Sequence, residues 1–292
     1  MNSKAEFSTQ NLLDCWTILY QNLSKTLLKR HGKDGEIVIR KANYKCGKSA
    51  GNSQKVQMQN SGHPVNLKEL FQFCCSEKMD PRFRIQWQIL DEEEAVFDVV
   101  TCPLYDLFSE QNDPVSFLPF CEEFHAGYIN GYTEGIGQCC LSEHFSYSGE
   151  NSCRFGCYFR ASNTPAERRD ACFTKDYQSK AAFPAEHHCC TSPQQYYSDL
   201  AALLVNAYVQ ECVSRYGDNA SCFVAEGLKS AAIETVDFLK QRSFSAGKKL
   251  DETFIRENGF WYSESDLSAH CAQNSEIIIT NYTHVLSKAA GL

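Results

Sequence analysis

Between residues 11 and 30 the apolar positions Leu12, Trp16, Leu19, Leu23 and Leu27 recur at intervals of four, three, four and four. That period puts them on one face and predicts a helix buried along it. His31-Gly32-Lys33-Asp34-Gly35 follows, and a glycine just past the last apolar position marks a left-handed stop. A second helix is expected over 36–58 and a short third one from Asn66 to Phe71. The period then changes. Over 82–90, Phe83, Ile85, Trp87 and Ile89 alternate with Arg82, Arg84, Gln86 and Gln88, the pattern of a half-buried strand. Asp91-Glu92-Glu93-Glu94 reads as a solvated turn into a second strand over 95–102, giving a hairpin. Helical spacing returns at 115–138, and 141–149 and 153–161 read as another hairpin around Gly149-Glu150-Asn151. The class is α+β, helices packed on an antiparallel sheet.

From 196 onward the early pattern starts again. Ser214-Arg215-Tyr216-Gly217-Asp218 aligns with Lys29-Arg30-His31-Gly32-Lys33, and 249–254 aligns with 66–71. Gly259-Phe260-Trp261-Tyr262 stands where Ile85-Gln86-Trp87-Gln88 stood, and Ile278-Ile279-Thr280-Asn281-Tyr282 answers Val99-Val100-Thr101-Cys102-Pro103. Order and spacing agree over about 90 positions, the signature of an internal repeat. The expected organisation is a complete unit over 1–161, a linker over 162–195 and an abbreviated copy over 196–292, in a pseudo-twofold arrangement. The linker holds three of the eight prolines and no sustained period. The second copy has Asn281 in place of Cys102 and stops short of 114–160, so chemistry is expected in the first copy only.

A formal charge of -8 and a pI near 5.5 leave no basic face for displacing counterions from phosphates, so nucleic acid is not an expected partner. No stretch approaches about 18 apolar residues, so no membrane span is expected. The first residues lack the apolar core of a secretory signal, and the expected compartment is the cytoplasm. The 16 cysteines are then expected as thiols. Cys74-Cys75, Cys139-Cys140 and Cys189-Cys190 are vicinal, a spacing that suits neither chelation nor an unstrained bridge, and each reads as one buried and one exposed thiol.

Chemistry-bearing residues are densest between 102 and 157. Cys102 ends a strand just before Pro103, where a side chain can be held rigidly. Cys121 and His125 share a helix face, within reach for lowering a thiol pKa, and Glu122 lies beside them. Glu143-His144 and Gly149-x3-Cys153-x3-Cys157 follow. The catalytic candidates are Cys102, Cys121, His125 and Glu122; those for holding a substrate are Glu143, His144, Tyr128 and Cys153. No metal or cofactor is expected. The alternative is zinc on Cys102, Cys121, His125 and Cys153. Cys153 and Cys157 would lie about 13 Å apart along a strand and could not share an ion. His187-His188-Cys189-Cys190 reads as solvated linker. No phosphate-binding loop, dinucleotide fingerprint or serine elbow occurs.

The order of these motifs resembles the L-2-amino-thiazoline-4-carboxylic acid hydrolase family over roughly residues 12–160. The family pattern is a strand ending in Cys-Pro, a cysteine with an acid about three residues on, and a Gly-x3-Cys-x-Phe strand. Here these are Val99-Val100-Thr101-Cys102-Pro103-Leu104, Cys121 with Glu122 and Glu123, and Gly149-Glu150-Asn151-Ser152-Cys153-Arg154-Phe155. The helix ending in Arg30-His31-Gly32 also fits. Phe124 stands where the pattern has its acid, leaving Glu122 or Glu123 to substitute. Gly127-Tyr128-Ile129-Asn130-Gly131-Tyr132 with Gly149-x3-Cys153 is similar, more distantly, to 4-vinyl-reductase ligand-binding domains. The resemblance implies a hydrolase or lyase opening a small cyclic, sulfur-containing or amidine-like ring. Such a reaction attacks an amidine-like carbon with a thiolate or an activated water and expels a thiolate. The alternative is a small-molecule or metal-binding sensor module without catalysis, which needs an enclosed apolar cavity and no activated group. A third reading is a scaffold whose abbreviated copy mimics a subunit partner. A homodimer stays open.

Overall fold

The computed structural model describes residues 4–73, 80–110, 117–147, 149–173, 192–263, 267 and 274–292. The chain forms two compact units. One joins Met1–Ala42 to Ser192–Leu292; the other is Asn43–Thr191, and the boundary falls inside a helix. These units cut across the two sequence blocks, since the first helix is gathered with the C-terminal segment.

The discontinuous unit has helices and no strand among its described residues. Helix α1 (Lys4–His31) packs on α7 (Pro193–Tyr216) and α8 (Ser221–Ser245). The stripe Leu12, Trp16, Leu19, Leu23 and Leu27 is buried, as its period predicts. Two polar side chains inside this core are paired: Asn11 Nδ2 donates to Asn258 Oδ1 at 2.9 Å, and Arg242 meets Asp14 at 3.1 Å. Gly32 and Gly217, at φ +53° and +87°, follow the ends of α1 and α7. Those ends pack together. His31 stacks on Tyr216 with ring centroids 4.1 Å apart, Arg30 pairs with Glu226, and Arg215 pairs with Asp34.

Helix order in the two blocks runs in parallel up to a point. Two long helices, α1 and α2 (Lys33–Asn60), precede a seven-residue α3 (Leu67–Phe73); α7 and α8 precede a seven-residue α9 (Glu252–Asn258). Asn66 and Asp251 cap these short helices, accepting from the N–H of Glu69 and Phe254. The second hairpin does not form. Residues 259–263 are in no strand, and the run aligned with Val99–Pro103 is helical: α10 (Ser275–Ile278) continues through a π-helical turn, Ile279–Thr283, into α11 (His284–Ala290). Ile278, Tyr282 and Leu286 are buried at intervals of four, and that stripe overrides the β-branched run's preference for a strand. Asn281 is therefore a mid-helix residue, bonded to Ile277 O, and no structural counterpart of Cys102.

The second unit holds the sheet. Strands β1 (Arg84–Leu90) and β2 (Glu94–Thr101) form the first hairpin, β3 (Gln138–Glu143) and β4 (Cys153–Tyr158) the second. β2 pairs antiparallel with β4, giving the order β1-β2-β4-β3. The acidic turn is not solvated. Asp91 and Glu92 are buried, and Asp91 Oδ1 accepts from the N–H of Glu93 and Glu94. Between the hairpins run α4 (Pro103–Glu110) and α5 (Leu118–Tyr132), and α6 (Ala166–Cys172) lies in the expected linker.

Helices α2 and α5 cross with their backbones touching. A Cβ added at Gly47, Gly51, Gly127 or Gly131 would sit 2.1 Å from the carbonyl oxygen of Phe124, Tyr128, Tyr44 or Lys48 respectively. Each helix thus brings two glycines, four residues apart, against a carbonyl of the other. At about 100° per residue, Cys121 and His125 lie roughly 120° around α5 from this glycine face. The crossing fixes which way they point.

Candidate functional site

Five of the residues singled out above assemble at the carboxyl end of β2. Cys102 is the hinge between β2 and α4. Its carbonyl accepts the first helical bond, from Asp106 N at 3.1 Å, and Pro103 takes the first helical position, where a missing N–H costs nothing. Its Sγ receives the backbone N–H groups of Tyr105 and Leu104. Burial raises the Cys102 thiol to about 12; those two amides pull the other way, and neighbouring Cys153 adds to the rise. Cys121 on α5 and Cys153 on β4 stand close enough for their charges to act on one another. Burial first, then the charges of Cys102, Cys153 and Glu122, push Cys121 well up. Burial raises Cys153 to about 11 against the N–H of Phe145. All three are protonated thiols at neutral pH.

Two imidazoles complete the group. The His125 ring packs on Phe155 at 4.6 Å and on Phe124 and Phe120 at 5.6 and 5.8 Å. Its Nδ1 lies 2.9 Å from Cys121 O. A carbonyl only accepts, so Nδ1 carries the proton and Nε2 presents a lone pair. His144 has the other tautomer. The N–H of Ser146 donates to its Nδ1 at 3.1 Å, which leaves the proton on Nε2. That Nε2 is buried with no hydrogen-bond partner among the described residues. Desolvation lowers both imidazoles to about 4; His144 further disfavours charge on His125, and Glu122 works against the fall in His144. The site therefore offers one neutral base nitrogen and one neutral donor. Tyr147 Oη donates to Glu122 Oε1 at 3.4 Å, along the rim.

Glu143 and Tyr128 stand elsewhere. Glu143 pairs with Arg154 at 2.6 Å, and Arg154 with Asp98 at 2.7 Å, a row across β3, β4 and β2 on the sheet face opposite Cys153. Tyr128 packs its ring on Phe124 and gives its carbonyl to the crossing at Gly51. Among the described residues no group of three or more His, Cys, Asp or Glu is placed to hold a metal ion, so the alternative set Cys102, Cys121, His125 and Cys153 does not converge at ligand spacing. Cys74, Cys75 and the run from His187 to Cys190 lie outside the described residues. The eleven described cysteines are all free; Cys140 is exposed and Cys139 partly so. Sequence reasoning missed the amides of Leu104 and Tyr105 and the Ser146 bond. Proline directly after Cys102 signalled the first, because proline favours the opening position of a helix as much as it ends a strand.

The two lowered imidazoles make the fold acid-sensitive. The unfolded chain titrates them near 6.5 and the folded one near 4. Within that window the unfolded chain binds protons that the folded one refuses, so stability falls as pH drops and gains nothing further above it. Urea midpoints measured from pH 7.5 to 4.5 are expected to decline below about 6.5, less steeply for His125→Gln. A midpoint independent of pH there would contradict the assigned burial.

Helices and an antiparallel sheet, with three thiols and two imidazoles gathered at the end of a strand, define an α+β protein. The profile of the L-2-amino-thiazoline-4-carboxylic acid hydrolase family matches residues 11–156, and the chain belongs to that family. Searches of curated proteins and of solved structures found no match. No described helix is long and apolar enough to cross a membrane.

Proposed function

We propose that the protein hydrolyses a small cyclic amidine of the aminothiazoline-carboxylate type, with Cys102 as nucleophile and no metal or cofactor. The observation that carries this reading is the pair of backbone amides on Cys102 Sγ, at the start of a helix. Among the described residues no backbone amide acts on the Cys121 sulfur, and one, from Phe145, acts on that of Cys153. Amides aimed at a sulfur stabilise the thiolate over the thiol. An amidinium substrate brings a positive charge beside Cys102 and lowers its pKa at the moment of attack.

Sulfur of Cys102 adds to the amidine carbon while His125 Nε2 takes the thiol proton. The tetrahedral centre collapses, the ring carbon–sulfur bond breaks, and the proton passes to the departing thiolate. Water then displaces Cys102 from the same carbon, leaving a urea and a free thiol in the product. Glu122 faces the amidinium charge, and His144 Nε2–H, buried without a partner, donates to the substrate carboxylate. Cys121 and Cys153 form the soft, apolar wall beside the ring sulfur. The free thiols fit a reducing, cytoplasmic setting.

The test is incubation with 2-aminothiazoline-4-carboxylate and continuous titration of released thiol. One new thiol per substrate consumed is expected, with a ureido product of substrate mass plus one water. Saturable binding without any thiol release would leave the sensor reading instead.

A further inference from the structure

We propose that Cys139 and Cys157 form a reversible disulfide joining β3 to β4 when the protein meets a peroxide. These two residues are direct partners in the antiparallel ladder. Directly opposed residues have Cα atoms about 4.5 or 5.5 Å apart depending on the pair type, and both spacings lie in the range a disulfide spans. Their sulfurs are already 3.4 Å apart. Rotation about the two Cα–Cβ bonds brings them to the roughly 2.05 Å of a bond without moving the backbone.

The two thiols differ in access, and this sets the order of events. Cys139 is partly exposed and Cys157 is buried. The contact with Cys139, and then burial, hold the Cys157 thiol well up. A peroxide reaches Cys139 first and oxidises it to the sulfenic acid, with release of one water. Cys157 attacks that sulfur, its proton leaves with the hydroxyl as a second water, and the disulfide remains. In sum, two thiols and one hydrogen peroxide give one disulfide and two waters. Reduction by a dithiol reverses it. Cys140 does not compete: its Sγ lies on the other face of β3, 3.4 Å from Gly156 O, and a bridge between sequence neighbours is strained.

The bridge has a defined neighbourhood. Cys153, Phe155 and Cys157 alternate along one face of β4, and Phe155 carries the His125 ring. Oxidation therefore anchors the strand on which the candidate site is built, though the thiol pair itself stands whether or not Cys102 is a nucleophile.

The test uses the full chain, treated with hydrogen peroxide, alkylated, and mapped by mass spectrometry without reduction. One peptide pair linked through Cys139 and Cys157 is expected, with two thiols lost per chain and both recovered with dithiothreitol. In Cys139→Ser the Cys157 thiol should survive the same treatment, and in Cys140→Ser the bridge should form to the same extent. The wild-type map decides the matter even if a variant folds poorly. Cys139 carried to the sulfinic acid while Cys157 stays alkylatable overturns the proposal, as does a bridge from Cys140.

Discussion

Cys102→Ser is expected to lower turnover of an aminothiazoline substrate by at least about a thousandfold while the protein stays folded. A serine oxygen at its ordinary pKa is far less ionised than a thiol, even with the same two amides pointing at it. The competing outcome is distinct. If Cys102 only fills space, exchanging a buried sulfur for a hydroxyl costs about 1 kcal/mol or more of stability, with turnover per folded molecule unchanged. Rate and melting temperature measured on the same samples separate the two. Cys121→Ser should show the second pattern, because burial and neighbouring charges act on that sulfur and, among the described residues, no backbone donor does. Full turnover in both variants would end the case for thiol catalysis and leave a binding module.

How the site could be read from the sequence depended on the kind of signal. Cys102, Cys121, His125 and Cys153 were legible because local rules place each one: a strand end, two positions on one helix face, a strand interior. Glu143 was misread because its neighbour His144 turns into the site while Glu143 stays in the ladder, bonded to Arg154. A bulge between Leu141 and Glu143 resets the alternation there, and no sequence period announces it. The tautomers of His125 and His144 depend on single bonds to Cys121 O and from Ser146 N, which no sequence period announces. The order of helices in the two blocks was legible, since stripes and glycine stops are local, but the repeat as a whole is not confirmed. The alignment misled at Ile278–Tyr282, where a short apolar run suits helix and strand alike and burial decides.

Gly127→Ala is expected to destabilise the protein by about 3 kcal/mol or more, lowering the melting temperature by roughly 10 °C. The sign makes this a sharp test. In an exposed helix interior, alanine for glycine stabilises by up to about 1 kcal/mol. Here the added methyl would lie 2.1 Å from Tyr44 O and 2.9 Å from its carbonyl carbon, and backbone cannot swing aside as a side chain can. Gly47→Ala, against Phe124 O, should behave alike. Because the two sites share one crossing, the double variant should cost less than the sum: helices pushed apart once need not be pushed again. Any folded fraction should also lose turnover, since α5 carries His125 on its other side. A stabilised Gly127→Ala would show that the two helices do not touch.

The discontinuous unit has a consequence for how the chain is made. Asn11 and Asn258 bond across 247 positions, and α1 packs on α7 and α8. At about 5–20 residues per second, a ribosome takes roughly 12–50 s to travel that far. For most of that interval, until α7 and α8 are made, Leu12, Trp16, Leu19, Leu23 and Leu27 have been synthesised but the surface that covers them has not. The segment between, Asn43–Thr191, can meanwhile complete its own sheet. The apolar stripe of α1 therefore stays uncovered while the intervening segment is made, a natural substrate for a holding chaperone.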